Sequence, residues 1–323
     1  MRTLIERLGG GSAAFRSSTR YSDGIDPPCD RNIGRGALTY SGSVDRLKIR
    51  REWSISTTVG LVEAVSRLPT LLEGLIGDDL QRSIIREYQR ALRSDQHRFP
   101  SSVSLPRPFG VNLPERVVEL LLARLSYWPG AAVLDVGHAN SMVCHRSMVR
   151  SLPGPRLITG IDMAEPVFDD SELYASSVQG DVCATPFPEN AFDLVWCISS
   201  LEHVGMDNSG YGEARSDDAT PERALEEMFR ITRPGGSLLV TVPFGRLEDH
   251  GWFRNLDADA LEGLLERVRA RGTVHEMYFA HSPGAGWSRA DARELSATGY
   301  RDEANAGAAG MAALVIEKEP LWH

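Results

Sequence analysis

From residue 131 to the end of the chain, short apolar runs alternate with stretches whose apolar residues recur at helical spacing. Alternation of this kind is typical of βαβ units, in which helices cover both faces of a parallel sheet. The last two apolar runs, at 273–280 and 311–319, have no strong helical segment between them, so we expect an antiparallel pair. The pattern predicts an α/β fold with helices at 142–152, 221–232 and 257–271 and seven strands: AAVLDV, LITGID, SVQGD, FDLVWCI, SLLVTVP, TVHEMYFA and MAALVIEKE.

The chain before residue 114 has a different pattern. Residues 1–50 are rich in Gly, Ser, Arg and Asp without sustained periodicity, which indicates a flexible arm. Helical spacing then predicts helices over 58–76, 78–92 and 115–127, and the four prolines between 99 and 114 indicate a loop. We therefore expect three parts: a flexible basic arm at 1–50, a helical cap or lid at 51–113, and an α/β domain at 114–323.

Composition limits what the protein binds. Hydrophobic residues make up 42% of the 323 positions and charged residues 24%, as in ordinary folded domains. The net charge of −9 divides into +4 for residues 1–50 and −13 for the rest, and an acidic body disfavours nucleic acid as a partner. The four cysteines are scattered, and no apolar run approaches the roughly 18–20 residues that span a bilayer. We expect a cytoplasmic protein that acts on a small molecule, without membrane or nucleic-acid partners; a homodimer is left open.

Chemically distinctive residues follow four of the predicted strands. Ligands of open α/β sheets bind at the carboxyl ends of the strands, so these residues are the first candidates for a site. Gly137 follows the first strand and allows a tight turn, and Asp162 ends the second, where a carboxylate can accept both hydroxyls of a ribose. Asp181 follows the third strand, and Glu202 and His203 follow the fourth. Taken singly, Asp162 and Asp181 fit capping and turn roles equally well, but their joint placement favours a nucleotide-like ligand.

Four longer segments follow one another in a distinctive order: VLDVGHANS, GIDMAEP, QGDVCATPFPENAFDLVWCISSLEHV and ALEEMFRITRPGGSLLVTVPFG. In order and spacing they resemble class I S-adenosylmethionine-dependent methyltransferases, in the small-molecule branch similar to methyltransferase type 11. The resemblance covers about residues 114–245 and extends through the last strand pair to about 319. It implies a Rossmann-like fold, S-adenosylmethionine as cofactor, and a methyltransferase domain at 114–323.

The resemblance also implies roles for single residues. Asp162 would hold the ribose, Asp181 and Val182 the adenine, and Gly137 the turn beneath the methionine part of the cofactor. The full set of predicted cofactor-binding residues is Asp135, Gly137, His138, Ala139, Asn140, Ser141, Asp162, Met163, Asp181, Val182, Ser199 and Glu202.

The first loop departs from the family's pattern of acid-x-Gly-x-Gly-x-Gly, because Ala139 and Ser141 stand at the second and third glycine positions. Extra Cβ atoms there can crowd a cofactor. Asn140 and Ser141, however, add donors for a methionine carboxylate, so we expect binding to be retained. Two alternatives stay open: a non-catalytic or cofactor-independent binding protein on a degenerate fold, and a nicotinamide-dependent oxidoreductase, which the single glycine of this loop disfavours.

Histidines and aromatic residues after the fourth and fifth strands are candidates for acceptor chemistry. A neutral histidine can take the proton of a hydroxyl acceptor. His250 is the first candidate base and His203 the second, with Asp249 or Asp207 as the partner that orients the ring. The predicted substrate-binding residues are Tyr211, Asp249, Trp252 and Phe253. This mixture of aromatic and carboxylate side chains suits sugar rings, so we expect O-methylation of a sugar or glycosylated small molecule in a biosynthetic pathway. No ligand spacing predicts a metal site.

Overall fold

A computed structural model describes residues 78–93, 103–154, 157–209, 218–302 and 307–320 of the protein. The predicted arm at 1–50, the predicted helix at 58–76 and the predicted substrate contact Tyr211 lie outside the described residues. The other predicted helices and all of the predicted strands are present. No helix in the described ranges combines the length and the apolar character needed to cross a membrane.

Ten strands are found in the described ranges. They are β1 (Ala132–Val136), β2 (Leu157–Asp162), β3 (Ser176–Gln179), β4 (Phe192–Ile198), β5 (Thr232–Pro243), β6 (Glu248–Asp249), β7 (Arg254–Asn255), β8 (Gly272–Ser282), β9 (Gly286–Ala290) and β10 (Gly310–Lys318). Eight of them form the central sheet, in the order β3-β2-β1-β4-β5-β10-β8-β9. β1 to β5 run parallel, and β10 lies antiparallel between β5 and β8. The predicted Rossmann-like sheet with an antiparallel C-terminal pair is confirmed.

The sheet has one strand more than the seven that the sequence predicts. β9 pairs antiparallel with β8 at the sheet edge. Its five residues, GWSRA, carry one large apolar side chain among small and polar ones, so hydrophobic alternation gave no strand signal. β6 and β7, which form a separate two-stranded ribbon in the loop after β5, were not predicted either because each is only two residues long.

Helices cover both faces of the sheet, and the chain forms one hydrophobic core on each face. The helices are α1 (Asp78–Leu92), α2 (Arg116–Ser126), α3 (Val143–Arg150), α4 (Pro221–Ile231), α5 (Ala258–Arg269) and the short α6 (Ala292–Leu295). Val133 packs in the core with α1, α2 and α3, whereas the next residue, Leu134, packs in the core with α4 and α5. Strands buried on both faces are read as continuous apolar runs, which is why the sequence located them well.

Helix α1 packs into the core that contains α2 and α3, which we call the main core. Ile84, Tyr88 and Ala91 are buried in the same cluster as the apolar side chains of α2 and α3. Gln81 accepts a hydrogen bond at 2.9 Å from the backbone N–H of Cys144, in the first turn of α3, a helix whose N-cap residue makes no side-chain cap of its own. The prediction that the segment 51–113 also closes over an acceptor site stays a prediction.

Candidate functional site

The turn after β1 is built around Gly137, whose φ is +79°. Its N–H donates to the carbonyl of Ile161 at 2.9 Å, which ties the turn to β2. A Cβ at this position would collide with the hydroxyl of Ser200, which itself donates to the carbonyl of Val136. Glycine is therefore required twice, for backbone conformation and for space, and the turn packs directly against the loop after β4.

Asp162 ends β2 with a buried, firmly oriented carboxylate. Its Oδ2 accepts the backbone N–H of Ala139 at 2.8 Å, and its Oδ1 accepts that of Ala164 at 3.0 Å. Burial raises the pKa of Asp162, and the hydrogen bonds from Ala164 and Ala139 partly oppose this. Each oxygen keeps a lone pair for another donor, so the carboxylate fits two ribose hydroxyls. The methyl group of Ala139 is itself fully buried, so it takes no space from a ligand.

The side chains of Asp135 and His138 are engaged inside the protein. Asp135 accepts hydrogen bonds from His145 Nε2 at 3.0 Å and from the Tyr174 hydroxyl at 2.7 Å. Burial favours the neutral acid, but His145 and Tyr174 outweigh it and hold the pKa of Asp135 below its usual value. The ring of His138 is buried, with Nε2 2.9 Å from the Ser177 hydroxyl. Both residues thus brace the glycine turn, and their contact with a cofactor stays a prediction.

The other predicted cofactor contacts near this turn retain free hydrogen-bonding capacity. The Ser141 hydroxyl is buried and has no hydrogen-bond partner among the described residues. Asp181 uses Oδ1 to accept the N–H of Cys183 at 2.8 Å. Asn140, Met163 and Val182 lie half-buried beside them. A glycine turn, two carboxylates with free lone pairs and an unpartnered buried hydroxyl fit the ribose, adenine and methionine parts of S-adenosylmethionine.

A buried acidic side chain, Glu119, joins α2 to the ends of β4 and β5. Its Oε1 accepts the hydroxyls of Ser199 at 2.5 Å and Thr241 at 2.8 Å, and its Oε2 lies 3.0 Å from the guanidinium of Arg116. Ser199 has a φ of +44°, a conformation that non-glycine residues rarely adopt. Glu119 therefore holds the strained start of the loop that carries Ser200 against the glycine turn.

Two further acids complete what we call the buried carboxyl cluster, which consists of Glu115, Arg116, Glu119 and Glu202. Glu115 accepts the backbone N–H of Ala308 at 2.8 Å. Glu202 is 5% exposed, and its Oε2 has no hydrogen-bond partner among the described residues. Burial, and then the charge of Glu119, raise the pKa of Glu115 to about 7. Burial also raises the pKa of Glu202 well above its usual value. Both acids therefore hold protons far more tightly than ordinary glutamates do.

His203 is held as a neutral imidazole. Its Nδ1 lies 2.9 Å from the carbonyl of Trp252, so Nδ1 carries the proton and Nε2 is the free acceptor. Its ring packs beside those of Trp252 and Phe253, with centroids 4.9 and 5.9 Å away. Burial lowers the pKa of His203 to about 4. Its Nε2 lies 4.0 Å from Oε1 of Glu202, so His203 borders the buried carboxyl cluster.

A cavity of about 350 Å³ lies beside the β6–β7 ribbon. His250 stacks on Phe253 with ring centroids 4.5 Å apart and planes 8° apart, and its Nε2 is 3.4 Å from Oε2 of Glu248. A hydrogen bond from the Tyr300 N–H, with further help from Arg246, holds the pKa of Glu248 below its usual value despite partial burial. The cavity is lined by Glu248, His250, Trp252, Phe253, Arg301 and Asp302.

The structure pairs His250 with Glu248 rather than with either predicted aspartate. Adjacent residues of a strand point to opposite sides. The side chain of Asp249 is accordingly 61% exposed, and it accepts the N–H of Gly251 at 2.8 Å instead of lining the cavity. Asp207 accepts the backbone N–H of Ser209 at 3.1 Å.

The sequence analysis did not identify several residues of the site: Glu115, Arg116, Glu119, Tyr300, Arg301 and Asp302. Glu119 contacts residues 80 and 122 positions further along the chain, so no local pattern links it to the strand ends. One signal was available. Glu119 is an acid within the apolar run VVELLLA of this helix, and a buried acid needs partners.

Part of the chain matches a known family and several curated proteins. Residues 134–240 match the family described as "Methyltransferase domain". A ubiquinone/menaquinone biosynthesis C-methyltransferase from Ruegeria is 26% identical over 52% of this chain and 70% of that protein. The 27-O-demethylrifamycin SV methyltransferase of Amycolatopsis mediterranei is 26% identical over 56% of this chain and 62% of that protein. The chain thus spans about two thirds of the length of these curated relatives.

Solved structures give partial matches as well. A SAM-dependent methyltransferase from Thermotoga maritima, described as a possible histamine N-methyltransferase, aligns over 79% of this chain and 99% of that one. The two are 13% identical, with a TM-score of 0.42. The matching family and these two relatives are all described as methyltransferases. This disfavours the alternative of a nicotinamide-dependent oxidoreductase.

Proposed function

We propose that this chain, whose residues 134–240 match the methyltransferase domain family, uses S-adenosylmethionine to methylate a hydroxyl group of a sugar or a glycosylated small molecule. The observation that carries the proposal is the pairing of His250 with Glu248 on the wall of the cavity beside the β6–β7 ribbon. A hydroxyl acceptor must lose a proton as it is methylated, and a carboxylate-oriented imidazole is suited to take it.

Each residue of this pair has a separate role. Ionised Glu248 favours a proton on Nε2 of His250, which leaves Nδ1 as the acceptor for the proton of the substrate. Stacking on Phe253 fixes the plane of the imidazole. When bound, the cofactor supplies an electrophilic methyl group on a sulfonium. His250 would take the hydroxyl proton as the acceptor oxygen bonds to that methyl group, and would hold the proton until it passes to solvent.

The walls of the cavity support a polar, ring-shaped acceptor. Trp252 and Phe253 offer flat apolar faces, while Arg301 and Asp302 offer a donor and an acceptor for hydroxyl groups. Of the two curated relatives, one is named for an oxygen acceptor and the other is a C-methyltransferase. An oxygen or carbon acceptor requires a base, whereas a neutral amine does not, so loss of the base distinguishes these cases.

The test is methyl transfer from S-adenosylmethionine to a panel of sugars, glycosides, amines and phenols, with products identified by mass spectrometry. For a hydroxyl acceptor we expect His250→Gln to lower kcat by about 100-fold or more, with an unchanged cofactor Kd. His275→Gln is the matched control. The Nε2 atom of His275 also lies near a glutamate, 3.7 Å from Oε2 of Glu317, but His275 stands near the start of β8 and does not line the cavity.

Three results would count against the proposal. Methylation of amines alone would contradict the hydroxyl acceptor. Full activity in His250→Gln together with loss of activity in His203→Gln would assign the role of base to His203, whose Nδ1 is hydrogen-bonded and whose Nε2 can accept a proton. Failure of the protein to bind S-adenosylmethionine would favour the alternative of a non-catalytic protein on this fold.

A further inference from the structure

The buried carboxyl cluster carries more acid than the described residues neutralise. Arg116 lies 3.0 Å from Glu119, and two hydroxyls complete that carboxylate. Glu202 is buried and Glu115 is half-buried, and neither has a cation of its own among the described residues. Two uncompensated negative charges inside a protein are costly, so these acids retain protons instead of ionising. A buried acid that lacks a partner, such as Glu202 with its unpartnered Oε2, indicates a group that arrives from outside.

The position of the cluster shows where such a group would arrive. On one side, Glu119 holds Ser199, and the next residue, Ser200, packs against the glycine turn. On the other side stands Tyr300, whose ring contacts His250 and Phe253. Burial and the nearby charges of Glu115 and Glu202 raise the pKa of the Tyr300 hydroxyl, so this hydroxyl is close to the cluster. The cluster therefore lies between the glycine turn after β1 and the cavity beside the β6–β7 ribbon, the region in which the proposed function has the methyl group transferred.

We propose that Glu115 and Glu202 sense the positive charge of the methyl donor, so that binding of S-adenosylmethionine drives a proton from this pair into solvent, whereas binding of the uncharged-sulfur product does not. The sulfonium is a permanent cation, and it is the only group in which donor and product differ in charge. The inference depends on the cofactor and is independent of the identity of the acceptor.

The sign of the effect follows from linkage. Below about pH 7 free Glu115 is protonated, and the donor must displace a proton in order to bind. Donor affinity should therefore fall as the pH is lowered, by about tenfold per pH unit for each proton released, and should level off above the pKa values of the free acids. The raised pKa of Glu202 acts in the same direction. The physiological consequence is discrimination: the protein prefers the donor over the product most strongly when the pair is ionised.

The other groups that face the pair do not titrate with it. Burial lowers the pKa of His203 to about 4 and raises that of Cys144 to about 11. Burial also raises the pKa of Cys197 and of Tyr300. Arg116 keeps its charge throughout, since its own pKa is raised. Asp162 is common to the binding of donor and product because both contain the ribose, so its contribution cancels in their ratio.

The experiment is isothermal titration calorimetry of the full chain with S-adenosylmethionine and with S-adenosylhomocysteine from pH 5.5 to 8. Each pH is measured in two buffers of different ionisation enthalpy, which gives the number of protons released. We expect the ratio of product Kd to donor Kd to rise at least fivefold between pH 5.5 and 7.5, with more protons released by the donor. Sinefungin, in which an ammonium replaces the sulfonium, should behave like the donor.

Single substitutions identify which acids release the proton. Glu202→Gln and Glu115→Gln should each flatten the pH dependence of the donor, and Glu317→Gln, an exposed control, should leave it unchanged. If donor and product show equal pH slopes in a protein that binds both, the inference is wrong and the proposed function stands. If neither ligand binds, the proposed function fails first. If the slopes differ but persist in both variants, the proton comes from another group and the assignment to this pair is wrong.

Discussion

At position 137 two constraints on one residue can be separated by mutation. The positive φ of Gly137 makes any side chain unfavourable by about 1–2 kcal/mol, and a Cβ would also meet the Ser200 hydroxyl. We expect Gly137→Ala to lower cofactor affinity by more than tenfold and to lower the Tm by several degrees. In Gly137→Ala/Ser200→Gly the collision is relieved but the backbone strain remains, so affinity should recover only partly.

Calorimetry measures the cofactor affinity, and thermal melts measure the Tm, of the wild type, Gly137→Ala and Gly137→Ala/Ser200→Gly. Ser200→Gly alone serves as the control, since it removes the colliding hydroxyl and leaves the glycine turn intact. Wild-type affinity in Gly137→Ala would show that the turn after β1 does not contact the ligand.

At the scale of elements, α1 supplies a cap that α3 lacks. Replacing Gln81 with Ala leaves the N–H of Cys144 buried without a partner, which costs about 1–3 kcal/mol. We expect the Tm to fall by several degrees in a melt followed by circular dichroism. Arg86→Ala, on the exposed side of the same helix, should change stability by less than about 0.5 kcal/mol. Equal shifts in the two variants would mean that the hydrogen bond from Cys144 to Gln81 does not contribute to stability.

The success of sequence analysis also differed between elements. Strands buried on both faces are read as mostly apolar runs, so β1, β4 and the second half of β5 were predicted from those runs. Glu119 was missed because its partners, Ser199 after β4 and Thr241 in β5, lie far along the chain. The ribbon β6–β7 was missed because it is defined by a turn and four residues, which give no periodicity. The pairing of His250 with Glu248 depends on that ribbon, so this pairing could not be predicted from the sequence either.

At the scale of the whole molecule, the boundary between cap and catalytic domain becomes testable. Contacts group residues 55–323 as one compact unit, and the side chains of α1 are buried in its main core. We expect a chain of residues 55–323 to retain the Tm and cofactor affinity of the full chain. A chain of residues 94–323, which lacks α1, should expose the apolar faces of α2 and α3 and aggregate or melt at least ten degrees lower. A stable, cofactor-binding 94–323 protein would show that α1 is a dispensable lid.

The segment that leads into α2 depends on partners from the far end of the chain. The carbonyl of Leu113 accepts the indole N–H of Trp287 at 2.9 Å, 174 residues later, and Glu115 accepts the N–H of Ala308, 193 residues later. A chain still being synthesised therefore lacks the groups that complete the start of α2 until the last strands have left the ribosome. Closing such long loops is slow, so the start of α2, together with the buried carboxyl cluster beside it, should be the last region to assemble.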